Sequence, residues 1–281
     1  MNPAIGLQFW SVRNNLQKDY VGTLEKIAEI GYQNVELISN VTPEGLVFGQ
    51  NMQAPELRKH LDRFGLRAVS CHFVPNAEMR LENILADLQA LGVDKLACAI
   101  AFFADPSGVF EFNKSFNQYA EVCKQHGVQL YYHNHFHEFQ VFGDRSIYEM
   151  MIDQLDKDLV MFEFDTYWAA RGGQDPIYWL MKLGKRCDVI HQKDLPATVA
   201  HANLFQLTGY DDPITMEAMW KTQDPEGFIE IGDGILDLPG ILQAFRTHNT
   251  PRFIFIEQDM SKLTELESIK VSLENLTRML G

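Results

Sequence analysis

The chain has 281 residues, of which 46% are hydrophobic and 22% are charged, and this globular composition excludes a disordered or fibrous protein. The formal net charge of −14 disfavours binding to nucleic acid or anionic lipid, and no apolar run reaches the roughly 20 residues that a membrane helix requires. The N-terminal residues lack the basic and apolar regions of a secretory signal, and the four cysteines form no CxxC pair. We therefore expect a reduced, cytoplasmic protein without structural disulfides or a zinc knuckle.

Short apolar segments alternate with amphipathic segments along the whole chain, which is typical of parallel strands connected by helices. Glycines such as Gly31 and Gly65 directly follow amphipathic segments and indicate helix ends. The predicted strands are residues 5–9, 34–37, 66–73, 95–101, 128–134, 160–165, 189–193 and 253–257. The predicted helices are residues 20–30, 54–64, 81–91, 112–126, 147–155, 238–246 and 263–280, with a further helix after Asp175–Pro176.

The ends of the first seven predicted strands recur at intervals of 28–35 residues, about one βα unit each time. Eight such units suit an α/β protein with a single (β/α)8 TIM barrel formed by residues 1–281. Residues 195–236 contain prolines and glycines but no convincing strand, so we interpret them as an enlarged loop after strand seven, over the catalytic face. A doubly wound open sheet is disfavoured because neither GxGxxG nor GxxxxGK[ST] occurs in the chain.

Imidazoles and carboxylates recur at the C-terminal ends of most predicted strands, where barrels of this type place their catalytic groups. Such residues would be scattered over both ends and the helices if they had no common role. This convergence is the strongest functional signal in the sequence. The ends concerned are Gln8-Phe9-Trp10, Glu36, Cys71-His72, His133-Asn134-His135, Glu163-Phe164-Asp165, His191-Gln192-Lys193-Asp194 and Glu257-Gln258-Asp259.

Strand alternation predicts which of these groups meet inside the barrel, because residues i and i+2 share a face. Two imidazoles and two carboxylates form a set that suits Mn²⁺, Co²⁺, Fe²⁺ or Zn²⁺ better than Ca²⁺. A lone histidine such as His72 is more often a hydrogen-bonded core residue, and we interpret Glu163 as outward-facing and solvated. Trp10 and Trp168 lie just past strand ends, where they could pack in the core or stack on a sugar ring. The predicted ligands are His133, Asp165, His191 and Glu257.

Seven motifs spread over essentially the whole chain resemble the xylose-isomerase-like barrel superfamily, which includes sugar phosphate isomerases/epimerases and inosose dehydratases. The Gly-Asp-Gly element and the last of the motifs look particularly like the inosose dehydratases. The motifs are Ile5-Gly6-Leu7-Gln8, Ile30-Gly31-Tyr32-Gln33-Asn34-Val35-Glu36-Leu37, Tyr132-His133-Asn134-His135-Phe136-His137-Glu138-Phe139, Phe164-Asp165-Thr166-Tyr167-Trp168, His191-Gln192-Lys193-Asp194, Gly232-Asp233-Gly234-Ile235-Leu236-Asp237 and Ile256-Glu257-Gln258-Asp259.

The resemblance implies one divalent metal (Mn, Co, Zn, Fe or Mg) held from strands five to eight, at positions that correspond here to His133, Asp165, His191 and Glu257. The two-glutamate epimerases of the superfamily carry a glutamate on strand five, whereas this chain has His133, and His135 is a competing ligand. A symmetrical two-glutamate epimerization is therefore disfavoured relative to chemistry with a single carboxylate base.

The leading hypothesis is a metal-dependent isomerase, epimerase or dehydratase that acts on a keto-sugar or keto-inositol through an enediolate. We expect Glu257 to act as the base, with Lys193 and His72 as acids or oxyanion donors. The substrate would be a small sugar or polyol; the exit from the enediolate and the presence of a homo-oligomer stay open. The residues expected to contact the substrate are Trp10, Glu36, His135 and Trp168.

Two alternatives from other functional classes are weaker. An apurinic-endonuclease-like phosphodiesterase needs a basic surface for DNA, and the charge of −14 argues against it. A non-catalytic sugar-binding barrel would have no reason to keep four ligand-type side chains at one end.

Overall fold

A computed structural model describes residues 2–281; Met1, the first residue of the predicted 1–281 domain, lies outside them. Eight parallel strands form a closed barrel in which each strand pairs with its neighbours in chain order and β1 also pairs with β8. The barrel strands are β1 (Ala4–Gln8), β2 (Asn34–Ile38), β3 (Arg67–Phe73), β4 (Lys95–Cys98), β5 (Gln129–His133), β6 (Val160–Asp165), β7 (Val189–Gln192) and β8 (Phe253–Ile256). The predicted (β/α)8 barrel is confirmed.

Within residues 2–281, twelve α-helices lie around this barrel or over its C-terminal end, and the longer ones bury an apolar face against the strands. They are α1 (Arg13–Lys18), α2 (Tyr20–Ile30), α3 (Ala54–Phe64), α4 (Leu81–Leu91), α5 (Pro106–Gln125), α6 (Ile147–Gln154), α7 (Thr166–Arg171), α8 (Pro176–Leu183), α9 (Phe205–Thr208), α10 (Met216–Lys221), α11 (Leu238–His248) and α12 (Glu265–Leu280). Within the described residues, none of these helices is long and apolar enough to cross a membrane.

Local sequence signals account for where the helices begin and end. Helix α3 has Pro55 in its first turn and ends at Gly65, whose φ of +68° is a conformation that favours glycine. Helix α6 begins with a capping box in which Ser146 and Glu149 bond to each other's backbone N–H groups. Helix α5 begins six residues earlier than predicted, at Pro106 rather than residue 112, because Asp105 caps its first turn.

The interior of the barrel is apolar in one half and polar in the other. Side chains such as Tyr131, Val189 and Phe253 form a separate buried cluster inside the barrel. The polar groups lie further along the same strands. His133 and His191 follow Tyr131 and Val189 by two residues, and Glu257 follows Phe253 by four. Since strands of a parallel barrel all point the same way, the polar half lies at their C-terminal ends.

The segment between β7 and α11 covers that polar end. Residues 195–236 contain no barrel strand and form the short helices α9 and α10, joined to the barrel by a bridge between Asp194 and Ile229. Two additional small antiparallel sheets, formed within Asn40–Gln53 and within Val141–Ser146, were not predicted. Each of their strands has only two to four residues, too few to show a hydrophobic period.

Candidate active site

A cavity of about 280 Å³ opens at the C-terminal end of the barrel strands. Its buried floor is polar and its walls are largely apolar, with contributions from the segment after β7. The polar residues of the floor are His72, His133, Glu257 and Asp259. The walls include Trp10, Ile38, Phe73, Val74, Ile100, Phe102, Met216, Met219 and Trp220.

The four predicted metal ligands meet at this floor and directly beneath it: His133 and Glu257 line the cavity, whereas Asp165 and His191 are fully buried and do not. One donor atom from each of His133, Asp165, His191 and Glu257 lies within 4.8 Å of every other, and all four residues are buried. His133 Nε2 is 3.5 Å from Asp165 Oδ2, and His191 Nδ1 is 2.8 Å from Glu257 Oε2. The set combines two borderline nitrogen donors with two carboxylates, the chemistry that first-row divalent metals prefer.

His133 presents an unsatisfied nitrogen to this group of donors. Its Nδ1 lies 3.1 Å from the carbonyl oxygen of Ala99, to which it can donate a hydrogen bond. That arrangement leaves a lone pair on Nε2, which is buried and has no hydrogen-bond partner among the described residues. A histidine whose second nitrogen is held by a carbonyl is the usual arrangement around a metal. The residues therefore fit a divalent ion.

A buried lysine lies against the same two carboxylates. Lys193 Nζ is 2.5 Å from Asp165 Oδ2, also contacts Glu257 Oε2, and lies 3.6 Å from Asp259. Burial lowers the pKa of Lys193, but Asp165 and Glu257 raise it further, so that it ends above its usual value. Burial conversely raises the pKa of Glu257, but Lys193 and His191 bring it well below the usual range. Glu257 and Lys193 are consequently both charged at neutral pH, and a metal would share two oxygens with the ammonium group.

A second layer of charge lies beneath this floor. His191 Nε2 is 2.8 Å from Glu36 Oε2 and 3.0 Å from Glu163 Oε1, on the opposite side of the ring from Glu257. His72 Nε2 is 2.6 Å from Glu163 Oε1 and 3.1 Å from Glu36 Oε2. Burial lowers the pKa of His72, but Glu36 and Glu163 outweigh it and raise the pKa to about 10. The two glutamates thus bind both imidazoles from below.

Comparison with known proteins agrees with this barrel. The family model described as xylose isomerase-like TIM barrel matches residues 24–279. The chain belongs to the xylose isomerase-like TIM barrel family. An inosose dehydratase of Mesomycoplasma hyopneumoniae (strain 7448) is 24% identical over 289 residues, covering 92% of this chain and 88% of that protein.

Solved structures of other proteins share the fold. A sugar phosphate isomerase/epimerase from Parabacteroides distasonis superposes with a TM-score of 0.78 at 22% identity, covering 98% of this chain and 94% of that one. The IolI protein, crystallised with a bound zinc atom, superposes with a TM-score of 0.69 at 14% identity, covering 98% and 97% of the two chains. At these identities the likeness concerns the fold.

Three of the residues predicted to contact the substrate are not equally placed to do so. His135 lines the cavity and packs on Trp168, with ring centroids 5.4 Å apart, but it belongs to neither group of donor atoms. Burial, followed by the charges of His133 and His137, holds the pKa of His135 well below its usual value. Trp168 and Glu36, both predicted to contact substrate, are almost completely buried and do not line the cavity.

The interpretation of Glu163 as outward-facing and solvated is wrong, since this side chain is only 1% exposed and contacts His72 and His191 inside the barrel. Its neighbour at i+2, Asp165, is a predicted ligand, and alternation places both on one face of β6. That signal was available in the sequence.

Sequence reasoning also missed Asp259, which lines the cavity two residues after Glu257. Burial raises the pKa of Asp259 to about 7, with Lys193 acting against the shift and Glu257 adding to it. The wall residues Met216, Met219 and Trp220 were missed as well, because only the tertiary fold brings their helix over the barrel.

Proposed function

We propose that this protein is a divalent-metal-dependent enzyme that removes a proton next to the carbonyl of a keto-sugar or keto-inositol, leading to isomerisation, epimerisation or dehydration. The observation that carries this proposal is the convergence of two imidazoles and two carboxylates at the base of the cavity, two of them lining it, with the lone pair of His133 Nε2 unused. Proteins similar to this chain include one named inosose dehydratase and one named sugar phosphate isomerase/epimerase, and both names describe reactions of sugars or cyclic polyols.

His133, Asp165, His191 and Glu257 would hold the metal, which we expect to be Mn, Co, Zn, Fe or Mg. When bound, a divalent ion supplies a Lewis acid that polarises the substrate carbonyl and stabilises the charge that develops after proton removal. The donor set contains fewer oxygens than Ca²⁺ usually requires.

Glu257 is the proposed proton acceptor. It lines the cavity, and the charge of Lys193 opposes the effect of burial and keeps Glu257 ionised at neutral pH. Lys193 is completely buried and does not line the cavity, so its proposed role is to hold Glu257 and to balance charge rather than to touch the substrate. His72 lies on the floor beside His133, with ring centroids 5.1 Å apart, where a charged imidazole can stabilise a substrate oxygen or protonate a leaving hydroxyl.

The cavity favours a substrate without a phosphate group. No lysine or arginine is among the described residues that line it, and the Lys193 ammonium beneath the floor is already occupied by three carboxylates. A phosphate or a nucleic-acid backbone would therefore find no lysine or arginine partner there, and His72 is already paired with Glu36 and Glu163. This lining supports a free sugar over a phosphodiester or a phosphorylated sugar as the substrate.

Proton exchange with solvent tests the proposal directly. Manganese-loaded protein is incubated in D₂O with a panel of free keto-hexoses and inososes, and deuterium incorporation is followed by NMR. We expect incorporation at one carbon, and in Glu257→Gln we expect the exchange rate to fall by about 10²–10⁴-fold because the base is lost while an oxygen ligand remains. Metal content of each variant is measured in parallel.

Three comparisons make this result specific. Glu274→Gln, on the exposed surface of α12, serves as the matched control and should exchange normally. If Glu257→Gln exchanges protons normally and either Lys193→Met or Asp259→Asn loses exchange, the residue whose substitution abolishes exchange is the base. If the metal-loaded wild-type protein exchanges no proton on any substrate of the panel, the proposed function is wrong.

A further inference from the structure

The outer part of the cavity is an apolar wall that continues from the polar floor to the protein surface. We call Trp10, Val74, Met216, Met219 and Trp220 the outer wall; all five line the cavity. Three of them are large apolar side chains with unusual exposure: Trp220 is 53%, Met216 54% and Val74 44% exposed. Exposed apolar surface that is continuous with an active site indicates a binding surface for part of the substrate.

The two indoles of the outer wall contact each other. Trp10 and Trp220 have ring centroids 6.3 Å apart with their planes inclined by 36°. A ring sandwiched between them would require about 7 Å, twice a van der Waals contact distance, so the pair forms one surface rather than a clamp. Arg13 fixes Trp10, since its guanidinium lies 4.6 Å from the ring centroid and donates a hydrogen bond to the Trp10 carbonyl oxygen.

Hydrogen-bonding groups are scarce next to this wall. Apart from the floor, the polar cavity-lining residues are Gln8, Ser39, His135 and Gln223. The Ser39 hydroxyl already donates to the His72 carbonyl oxygen, and Gln8 contacts Trp10 N and His72 Nδ1. A second sugar unit would find few protein partners for those of its hydroxyls that face the wall, so it would gain little beyond its contact with the indole. A flat apolar group needs no such partners.

We infer that the cavity binds a keto-sugar that carries an aromatic aglycone, with the sugar on the polar floor and the aglycone against Trp220 and Met216. This inference rests on the proposed function and narrows its substrate class to aryl keto-glycosides. Aromatic rings and methionine side chains provide the wall with complementary surface for such a group, through ring–ring and sulfur–ring contacts.

Binding of unreactive glycosides tests the inference without using catalysis. Phenyl and methyl glucosides of both anomeric forms are titrated into the metal-loaded protein by isothermal calorimetry. We expect the better phenyl glucoside to bind at least tenfold more tightly than its methyl counterpart, because it adds buried aromatic surface. Trp220→Ala should remove most of that difference and leave the affinity for the methyl glucoside unchanged. Phe110→Ala, which changes a side chain that is 53% exposed on α5 and outside the cavity, is the matched control.

Two outcomes would overturn the inference: phenyl and methyl glucosides of equal affinity, or a disaccharide such as cellobiose that binds as tightly as the phenyl glucoside. The exchange assay in D₂O separates this failure from that of the proposed function. Exchange on free keto-hexoses without any phenyl preference would contradict only the aglycone site. A phenyl preference that depends on Trp220, without exchange on any substrate, would support the aglycone site and contradict the proposed reaction.

Discussion

Four carboxylates lie close together in the mouth of this barrel, and their charge has to be compensated. Glu36, Glu163, Asp165 and Glu257 are each at most 5% exposed, so water screens them little. Lys193 compensates the charges of Asp165 and Glu257, the pair nearer the cavity. His72 compensates those of Glu36 and Glu163, the deeper pair. His191 contacts both pairs through its two ring nitrogens, which makes its protonation state the link between the layers.

A metal on His191 Nδ1 would require a neutral ring with its proton on Nε2, the nitrogen that lies 3.0 Å from Glu163 Oε1 and 2.8 Å from Glu36 Oε2. In Glu163→Gln one of the two acceptors becomes a neutral amide. We expect the affinity for Mn²⁺ to fall by about 10–100-fold, the usual cost of losing a residue that orients a metal-binding histidine. Calorimetric titration of the metal-free protein measures the change, and circular dichroism checks the fold.

The exposed substitution Glu274→Gln again provides a control in which Mn²⁺ affinity should not change. Wild-type affinity in Glu163→Gln would contradict the role assigned to this carboxylate and would leave Glu36 as the residue that orients His191.

At the scale of elements, the segment after β7 is organised by one side chain. Asp194 accepts hydrogen bonds from the backbone N–H groups of Leu195, Gly232, Gly234 and Leu236, at 2.8–3.2 Å. It therefore ties the start of the segment to its end. Gly234 is required by this close approach, because a Cβ there would lie 2.3 Å from Asp194 Oδ1 and 2.6 Å from the Leu195 carbonyl oxygen.

Asp194→Asn should destabilise the protein. The new NH₂ group would face backbone donors, so two hydrogen bonds to a charged acceptor are lost at about 1.5–3 kcal/mol each. We expect the free energy of unfolding in urea to fall by roughly 3 kcal/mol. Asp233→Asn, in the same Gly-Asp-Gly turn but exposed, should change it by less than about 0.5 kcal/mol. Equal stability of the two variants would show that Asp194 does not organise the segment.

The sequence predicted the regular elements well and the irregular ones poorly, for physical reasons. The predicted bounds of α2, α3 and α4 agree with the structure because apolar spacing and a terminal glycine mark each helix. Strand β4 is shorter than predicted, ending at Cys98 rather than residue 101, since apolar composition does not determine where pairing stops. The outer wall could not be predicted, because α10 is short and reaches the cavity only through the fold of residues 195–236.

At the scale of the whole molecule, the barrel interior packs an apolar cluster directly beneath the charged residues at the C-terminal ends of the strands. The ligand-type residues come from β5, β6, β7 and the end of β8, so any ion bound by them would connect four neighbouring strands. An ion that binds the folded state and not the unfolded chain stabilises the fold by mass action. Thermal stability therefore reports on the metal site independently of catalysis.

Removal and return of metal should shift the melting temperature. At a free Mn²⁺ concentration 100 times the dissociation constant, binding adds about 2.7 kcal/mol to the stability of the fold, which for a chain of this size corresponds to roughly 5 °C. Calorimetric scans of chelator-treated protein, with and without Mn²⁺, measure this shift, and Ca²⁺ should give a much smaller one.

Asp165→Asn should lose most of the shift. Lys193→Met should enlarge it, because the ammonium group that pairs with two of the proposed ligand carboxylates is gone. If Mn²⁺ raises the melting temperature of Asp165→Asn as much as that of the wild type, the metal binds elsewhere. If it raises that of Lys193→Met by less than in the wild type, Lys193 supports the metal site rather than competing with it.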